Sequence, residues 1–395
     1  MTTATKSELS LETIEALLEQ REGWCVSIYM PTHRAGKEIR EDPIRLKNRI
    51  TEAEEQLEKA GVDSTKIRQL CEAARERCDF DEESNREFWR HQTDGLALLL
   101  NDGEEQMFHL QSRVNELTLV ARRFHIKPLL KSLQQDQEYC VLAVSRDRVR
   151  FLEGSASGLS ERPVEDLPES LQAVISGDHQ KGFNLHSFRV SAAGGENAVP
   201  HGHVETNDEH ELRRFFRTID EALSDALKND KRPLIFAGVD ELFPYFKDTT
   251  EYSNVVPEAV TGNPDDLSDE QLHEKAWPVV QQVLQKKQDE AVHRWGEAAH
   301  TELGEQDLSN IVVAAHDGRI DTLLLAEGSA QWGTYDEQKR TVQTESESTA
   351  DNYDLLDLAA AKTLLSDGDV VFVDADRLPD GQMAAAICRF PRPQQ

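Results

Sequence analysis

The apolar residues of this chain come in short runs, and none reaches the roughly 18 consecutive apolar positions that a membrane-spanning helix needs. Pieces such as 95–100 and 322–326 have the length of single buried strands. Between such runs lie longer segments of helical period. This alternation predicts a mixed α/β protein, and 395 residues suffice for two or three domains that each bury a core. Residues 1–20 are polar and pass into a helix pattern at Leu9, Leu11, Ile14, Leu17 and Leu18, without the basic start, apolar run and small-residue cleavage site of an export signal. A cytoplasmic protein with no membrane partner is therefore expected. The five cysteines, Cys25, Cys71, Cys78, Cys140 and Cys388, show no two-residue metal or redox spacing and read as reduced thiols.

Charge narrows the partners. With 44 basic and 74 acidic residues the formal net charge is −30, which opposes non-specific binding to phosphate backbones. Any nucleic-acid contact must be local, and an acidic surface of this kind reflects a salty cytoplasm as readily as a partner. One stretch departs from the trend: Arg34, Lys37, Arg40, Arg45, Lys47 and Arg49 stand against Glu38, Glu41 and Asp42. Together with His33 they make a candidate phosphate-contacting face, internal salt bridges being the alternative.

Along the chain, three domains are expected, 1–132, 133–267 and 268–395. In the first, a helix precedes a strand at 25–30 that Pro31 ends; helices follow at 43–60, stopped by Gly61, and 64–78, and then a hairpin at 96–110 turns on Asn101-Asp102-Gly103. The second opens with a hairpin, 139–144 and 149–153, continues through a short helix near 167–175 and an extended run at 183–190, and reaches a stretch, 191–205, without apolar periodicity. Unstructured connections of that length tend to be functional or disordered. Thr206 and Glu209 then form a capping-box signature ahead of a helix carrying Leu212, Phe215, Phe216, Ile219, Leu223 and Leu227, and 233–239 is a buried strand. The third domain begins with a helix at 268–299 that Pro278 interrupts or bends. Residues 308–315 fit strand or helix equally, 320–326, 369–373 and 383–390 read as strands, 341–351 as a polar loop and 355–365 as a helix.

Three sets of residues, in this order along the chain, resemble one family, the bacterial relatives of the archaeo-eukaryotic release factor and Pelota. The first set is Ile28-Tyr29-Met30-Pro31-Thr32-His33-Arg34, Asp42-Pro43-Ile44-Arg45-Leu46-Lys47-Asn48, Phe88-Trp89, Asp94-Gly95-Leu96-Ala97, Phe124-His125 and Lys127-Pro128-Leu129-Leu130. The second is the loop Gly194-Gly195-Glu196-Asn197-Ala198 with the strand Leu234-Ile235-Phe236-Ala237-Gly238. The third is Ala314-Ala315, Gly318-Arg319-Ile320-Asp321-Thr322-Leu323-Leu324 and Asp369-Val370-Val371-Phe372. The resemblance implies an RNase H-like middle domain whose loop enters the peptidyl-transferase centre, and an α-β-α layered C-terminal domain like that of kink-turn-binding ribosomal proteins. It implies a ribosome-binding factor for termination, rescue or hibernation that occupies the tRNA site, with rRNA and tRNA-site ligands as contacts, a translational GTPase as a further partner and no cofactor. True release factors of the family have glutamine where this chain has Glu196, so peptide release does not follow from the resemblance.

The chemistry of the loop sharpens that point. Gly194 and Gly195 tolerate positive φ and let the backbone approach a ligand closely. A neutral amide after them can position water against an ester, whereas the Glu196 carboxylate, ordinarily titrating near pH ~4.3, is charged among phosphates unless burial raises its pKa and makes it a general base. A hydrolase acting on peptidyl-tRNA with Gly194, Gly195 and Glu196 as catalytic loop thus remains open, as does a flexible loop without catalysis. His201, His203 and His210 offer a weaker alternative, a metal-dependent enzyme, but complete no recognised ligand spacing. Arg213 and Arg217 share a helix face one turn apart and are candidate rRNA contacts, pairing with Glu209, Glu211 and Asp220 being the alternative.

Overall fold

The computed structural model describes residues 5–6, 9–18, 23–102, 104–175, 204–378 and 381–392, the side chains of 5–6 and 204–208 excepted. The described chain divides into two compact units, one made of residues 1–136 and 285–395, the other of 137–284.

In the first unit the N-terminal stretch contains β1 (Thr5–Lys6), α1 (Leu11–Leu18), β2 (Cys25–Pro31), α2 (Asp42–Lys59), α3 (Ser64–Glu76), α4 (Glu83–Arg90), β3 (Gly95–Asn101), β4 (Glu104–Leu110), β5 (Leu117–Ala121) and α5 (Lys127–Gln135). The sheet has the order β1-β4-β3-β2-β5. It is buried on both faces, which explains why β2 and β3 are apolar at nearly every position instead of alternating. Val26, Ile28 and Met30 with Leu96, Leu98 and Leu100 face α2, α3 and α4. Cys25 and Tyr29 with Ala97 and Leu99 face the other way, into a core completed by Ile14, Leu129, Leu130 and residues far along the chain, Ile311, Leu323, Leu356 and Phe372.

Those distant residues come from β11 (Gly304–Glu305), the helix Leu308–His316, β12 (Ile320–Ala326), β13 (Trp332–Asp336), β14 (Thr341–Glu345), β15 (Tyr353–Asp354), the helix Leu355–Leu364, β16 (Asp369–Val373) and β17 (Ala384–Cys388). Four of the strands form a sheet of order β11-β17-β12-β16, with β12 and β16 parallel. Leu323 and Leu325 pack toward the two helices, Leu324 and Ala326 toward Ala291 and Trp295 of the helix Asp269–Ala298, so helices cover both faces. Residues 308–316 are helical, which settles the ambiguous periodicity, and the expected polar loop at 341–351 begins with a strand. β14 pairs with β13 from Thr341↔Asp336 to Glu345↔Trp332. Its side chains are almost all exposed, so it carries no apolar alternation by which to recognise it.

A short buried network ties the two stretches of this unit together. Asp357, 3% exposed, accepts the backbone N–H groups of Ile126 and Lys127, both at 2.7 Å, through Oδ1. These are donors that the start of α5 cannot satisfy within its own helix. Arg123 approaches the same carboxylate at 3.5 Å and His125 Nδ1 at 3.3 Å. Burial holds the His125 imidazole below its ordinary pKa, although Asp357 opposes this. The Tyr29 hydroxyl donates to the His125 carbonyl, and Lys127 pairs with fully buried Asp354 and donates to the Ser329 carbonyl.

The second unit has β6 (Tyr139–Val144), β7 (Val149–Ser155), β8 (Gly158–Glu161), β9 (Leu234–Gly238) and β10 (Val260–Thr261) in the order β10-β9-β6-β7-β8. β6 is antiparallel to β7 and parallel to β9. Alternation is strict: Cys140, Leu142 and Phe236 pack on Phe215, Phe216, Ile219 and Leu223 of the helix Val204–Ala226, whereas Tyr139, Val141, Ala143, Ile235 and Ala237 meet Leu272, Ala276 and Val280 of the helix Asp269–Ala298. That helix is continuous through Pro278. Arg150, 5% exposed, bonds Asp269 at 3.1 Å and the Pro264 carbonyl at 2.8 Å, fixing the start of the helix to the sheet.

Replacing Asp357 by Ala leaves the Ile126 and Lys127 amides without their buried acceptor, a cost of about 3 kcal/mol. Urea unfolding monitored at Trp89 and Trp332 should show that loss, with a smaller loss for Asp357→Asn, which keeps an acceptor. An Ala variant as stable as wild type would refute the assigned role.

Candidate nucleic-acid interface

The basic stretch read from the sequence folds into the end of β2, a 3₁₀ turn at Glu38–Arg40 and α2. Asp42 begins α2 with Pro43 behind it, a proline placement that costs the helix no internal hydrogen bond. The Asp42 side chain is fully buried; it accepts the His33 backbone N–H at 3.0 Å, and its Oδ1 lies 2.9 Å from the His33 ring Nδ1. Burial raises the Asp42 carboxyl above its ordinary value, and the His33 hydrogen bonds and Arg45 offset this only in part. His33 itself keeps about a quarter of its side chain in solvent, at 28%.

The arginines divide into distinct environments. Arg34 makes a two-pronged contact with Asp94, at 2.9 and 3.0 Å, and reaches Gln111 at 3.1 Å. Arg45 donates to the Pro31 carbonyl and pairs with Glu116 at 3.1 Å. Arg49 pairs with Glu52 at 2.7 Å and lies 3.6 Å from the same Glu116. Lys47 is exposed and, like Lys37 and Arg40, makes no ion pair among the described residues. Thus the expected face exists, but half of its cations are tied to carboxylates, one of which, Glu116, lies far from the patch in sequence.

In the second unit Arg213 is exposed, 3.9 Å from Asp248 and stacked 5.6 Å from the Tyr245 ring centre. Arg217 lies exposed on the same helix face. Gly194, Gly195, Glu196, His201 and His203 lie outside the described residues. His210 is exposed, and no cluster of three metal-ligating side chains occurs among the described residues. Burial pushes the Cys71 and Cys140 thiols up to about 12 and Cys78 up to about 11, which removes them as nucleophiles near neutral pH. Sequence reasoning missed the Asp357–His125–Lys127 network; its members are more than two hundred residues apart, and no local pattern marks them.

Residues 138–319 match the model of the bacterial archaeo-eukaryotic release factor family 3. This segment holds the whole sheet of the second unit. Among solved structures, the ribosome-bound archaeal Pelota described with ABCE1 aligns with 98% of this chain and 96% of its own at 11% identity and a TM-score of 0.40. Dom34 of S. cerevisiae aligns over 76% and 80% at 11% identity and a TM-score of 0.38. The archaeal termination factor aRF1 aligns over 96% of both chains at 16% identity and a TM-score of 0.25. None of the curated proteins matches the sequence.

Asp42 generates a pH prediction. A carboxyl whose pKa is raised on folding keeps, in the native state, a proton that the unfolded chain has already lost. Its contribution to stability is therefore fully present in acid and is lost as pH rises from the ordinary aspartate range through the raised value. The stability of wild type relative to Asp42→Asn should fall over that interval and level off above it in a pH series of urea unfolding curves. A difference that rises with pH would reverse the assignment.

Proposed function

We propose that this protein is a cytoplasmic ribosome-binding translation factor of termination, rescue or hibernation that occupies the tRNA site. The observation that carries this reading is the family match over residues 138–319, the segment that contains both the Gly194-Gly195-Glu196 loop and the sheet that would support it. The strand order supports reading the second unit as RNase H-like: taken in its own sequence order it is 5-4-1-2-3, three antiparallel strands followed by two parallel additions. The helices on both faces of the β11-β17-β12-β16 sheet support reading the C-terminal stretch as the layered domain of the same proteins. A translational GTPase is the partner this family reading brings with it.

The protein acts by binding rather than by releasing peptide. Glu196 is the reason: a carboxylate carried among rRNA phosphates suffers repulsion and desolvation of several kcal/mol unless it is neutralised, and unlike an amide it offers no N–H to a developing oxyanion. Arg213 and Arg217, exposed on one face of the helix Val204–Ala226, are the candidate phosphate contacts of this unit.

Sedimentation with ribosomes and a release assay on peptidyl-tRNA-loaded ribosomes test both parts. Wild type should co-sediment and leave the peptide attached, and Glu196→Ala should do the same. Robust release by wild type, abolished in Glu196→Ala with binding retained, would establish the hydrolase with Glu196 as base. Failure to co-sediment would remove the ribosome from the reading.

A further inference from the structure

Helix α2 presents three stripes. Asp42, Leu46, Ile50, Ala53 and Leu57 face the core. Arg45, Arg49 and Glu52 form a second stripe, closed on itself and on Glu116 by ion pairs of 2.7–3.6 Å. The third continues from the 3₁₀ turn into the helix at spacings of four, three and four, through Arg40, Ile44, Lys47 and Thr51, all exposed. Lys37 stands exposed at the N-cap of the turn.

This third stripe is chemically unusual for the molecule. In a chain with 74 acidic and 44 basic residues, Lys37, Arg40 and Lys47 have no carboxylate partner among the described residues, while their arginine neighbours are held by Asp94, Glu52 and Glu116. Glu38 and Glu41, the exposed carboxylates of the turn and its C-cap, form no ion pair with these cations among the described residues. Between the cations Ile44 is 62% exposed, the highest value among the exposed large apolar side chains of the described residues. Isolated exposed apolar residues need no explanation. One framed by unpaired cations on a rigid helix does match a nucleic-acid strand, which offers phosphates to the cations and a ribose or base face to the apolar group.

We propose that Lys37, Arg40, Ile44 and Lys47 form a docking surface for an RNA phosphate backbone, and that Arg45 and Arg49 serve as the ion-paired support that sets the helix in place. This deepens the ribosome-binding reading and rests on it only for the source of the RNA, a ribosomal RNA stem. Seven residues of helix carry Arg40 to Lys47 over about 10 Å, so the surface neutralises only a few phosphates. Affinity then falls with salt at a slope of about −2 to −3 in log–log form, and each removed cation lowers the slope by about 1.

The test measures binding of the full chain, between low and high salt, to purified bacterial ribosomes and to a fluorescein-labelled RNA stem-loop. Lys37→Glu/Lys47→Glu should weaken both at least tenfold and flatten the slope, and Ile44→Ala should weaken binding without changing the slope. Arg294→Gln, which removes one cation from the Asp321 ion pair elsewhere on the unit, should leave both unchanged, with circular dichroism confirming that every variant is folded. If wild type binds ribosomes and Lys37→Glu/Lys47→Glu binds equally well, the docking surface is refuted and the ribosome reading stands. If wild type binds the stem-loop with the stated sensitivities but not ribosomes, the surface stands and that reading falls. Displacement by polyglutamate as effective as by RNA would refute the RNA assignment in favour of an acidic protein partner.

Discussion

Asp357 stands where two remote stretches of chain must agree on one geometry. Its carboxylate receives the first free amides of α5, and α5 in turn supplies Leu129 and Leu130 to a core shared with Leu323, Leu356 and Phe372. Apolar burial provides most of the driving force but is non-directional. What fixes register is the polar network: Asp357 on the amides, Asp354 on Lys127, Glu327 on Lys131 and Gln134 on the edge of β16. All four contacts come from one helix start or one helix face, so α5 acts as the piece through which the N-terminal and C-terminal sheets of the unit are aligned.

How much of this was legible in the sequence depends on how local each feature is. β2, β3, β6, β9, β12 and β16 announce themselves as apolar runs because each is buried on both faces, and the helix Val204–Ala226 announces itself through an apolar stripe that packs on Phe236. β14 was invisible because all its side chains except Val342 are exposed, and one covered residue makes no alternation. The cationic patch was legible as composition, but its division was not. Glu116 lies on the loop ahead of β5 and disarms Arg45 and Arg49 only because α2 crosses that strand. Spacing along α2 shows which residues share a stripe; only the fold shows which stripe meets a carboxylate. Arg34 is a similar case, since its partner Asp94 is brought beside it by the β2–β3 pairing.

Net charge and local charge act at different ranges. A chain at −30 is repelled by any polyanion at distances beyond about 10 Å at low salt, and this repulsion fades as the Debye length shortens. At contact the outcome is decided by the few groups that touch. Ion-paired arginines contribute little there, because leaving Glu116 or Asp94 unpartnered offsets what a phosphate gains them. Free lysines on a helix held by its own salt bridges carry no such offset. An acidic protein that still meets RNA therefore benefits from spending most of its arginines internally and exposing a small unpaired set, which gives weak affinity for RNA in general and leaves shape to select the site.

The same reasoning bears on the Gly194-Gly195-Glu196 loop. The β10-β9-β6-β7-β8 sheet is packed on both faces by helices, a frame that needs no chemistry from residues 194–196 to be stable. An amide at position 196 would add a donor at no electrostatic cost. In the proposed ribosomal setting a carboxylate would add negative charge to surroundings already made negative by phosphates, and its value to a hydrolase would require a pKa near the working pH. Raising a carboxyl that far takes deep burial or a like charge at close range. The residues before Glu196, Ser191-Ala192-Ala193-Gly194-Gly195, are all small, so under the proposed reading the neutral form would have to be imposed by the binding partner. A factor that binds and occupies needs no such help, and that difference in what the loop must supply for itself favours occupancy over hydrolysis.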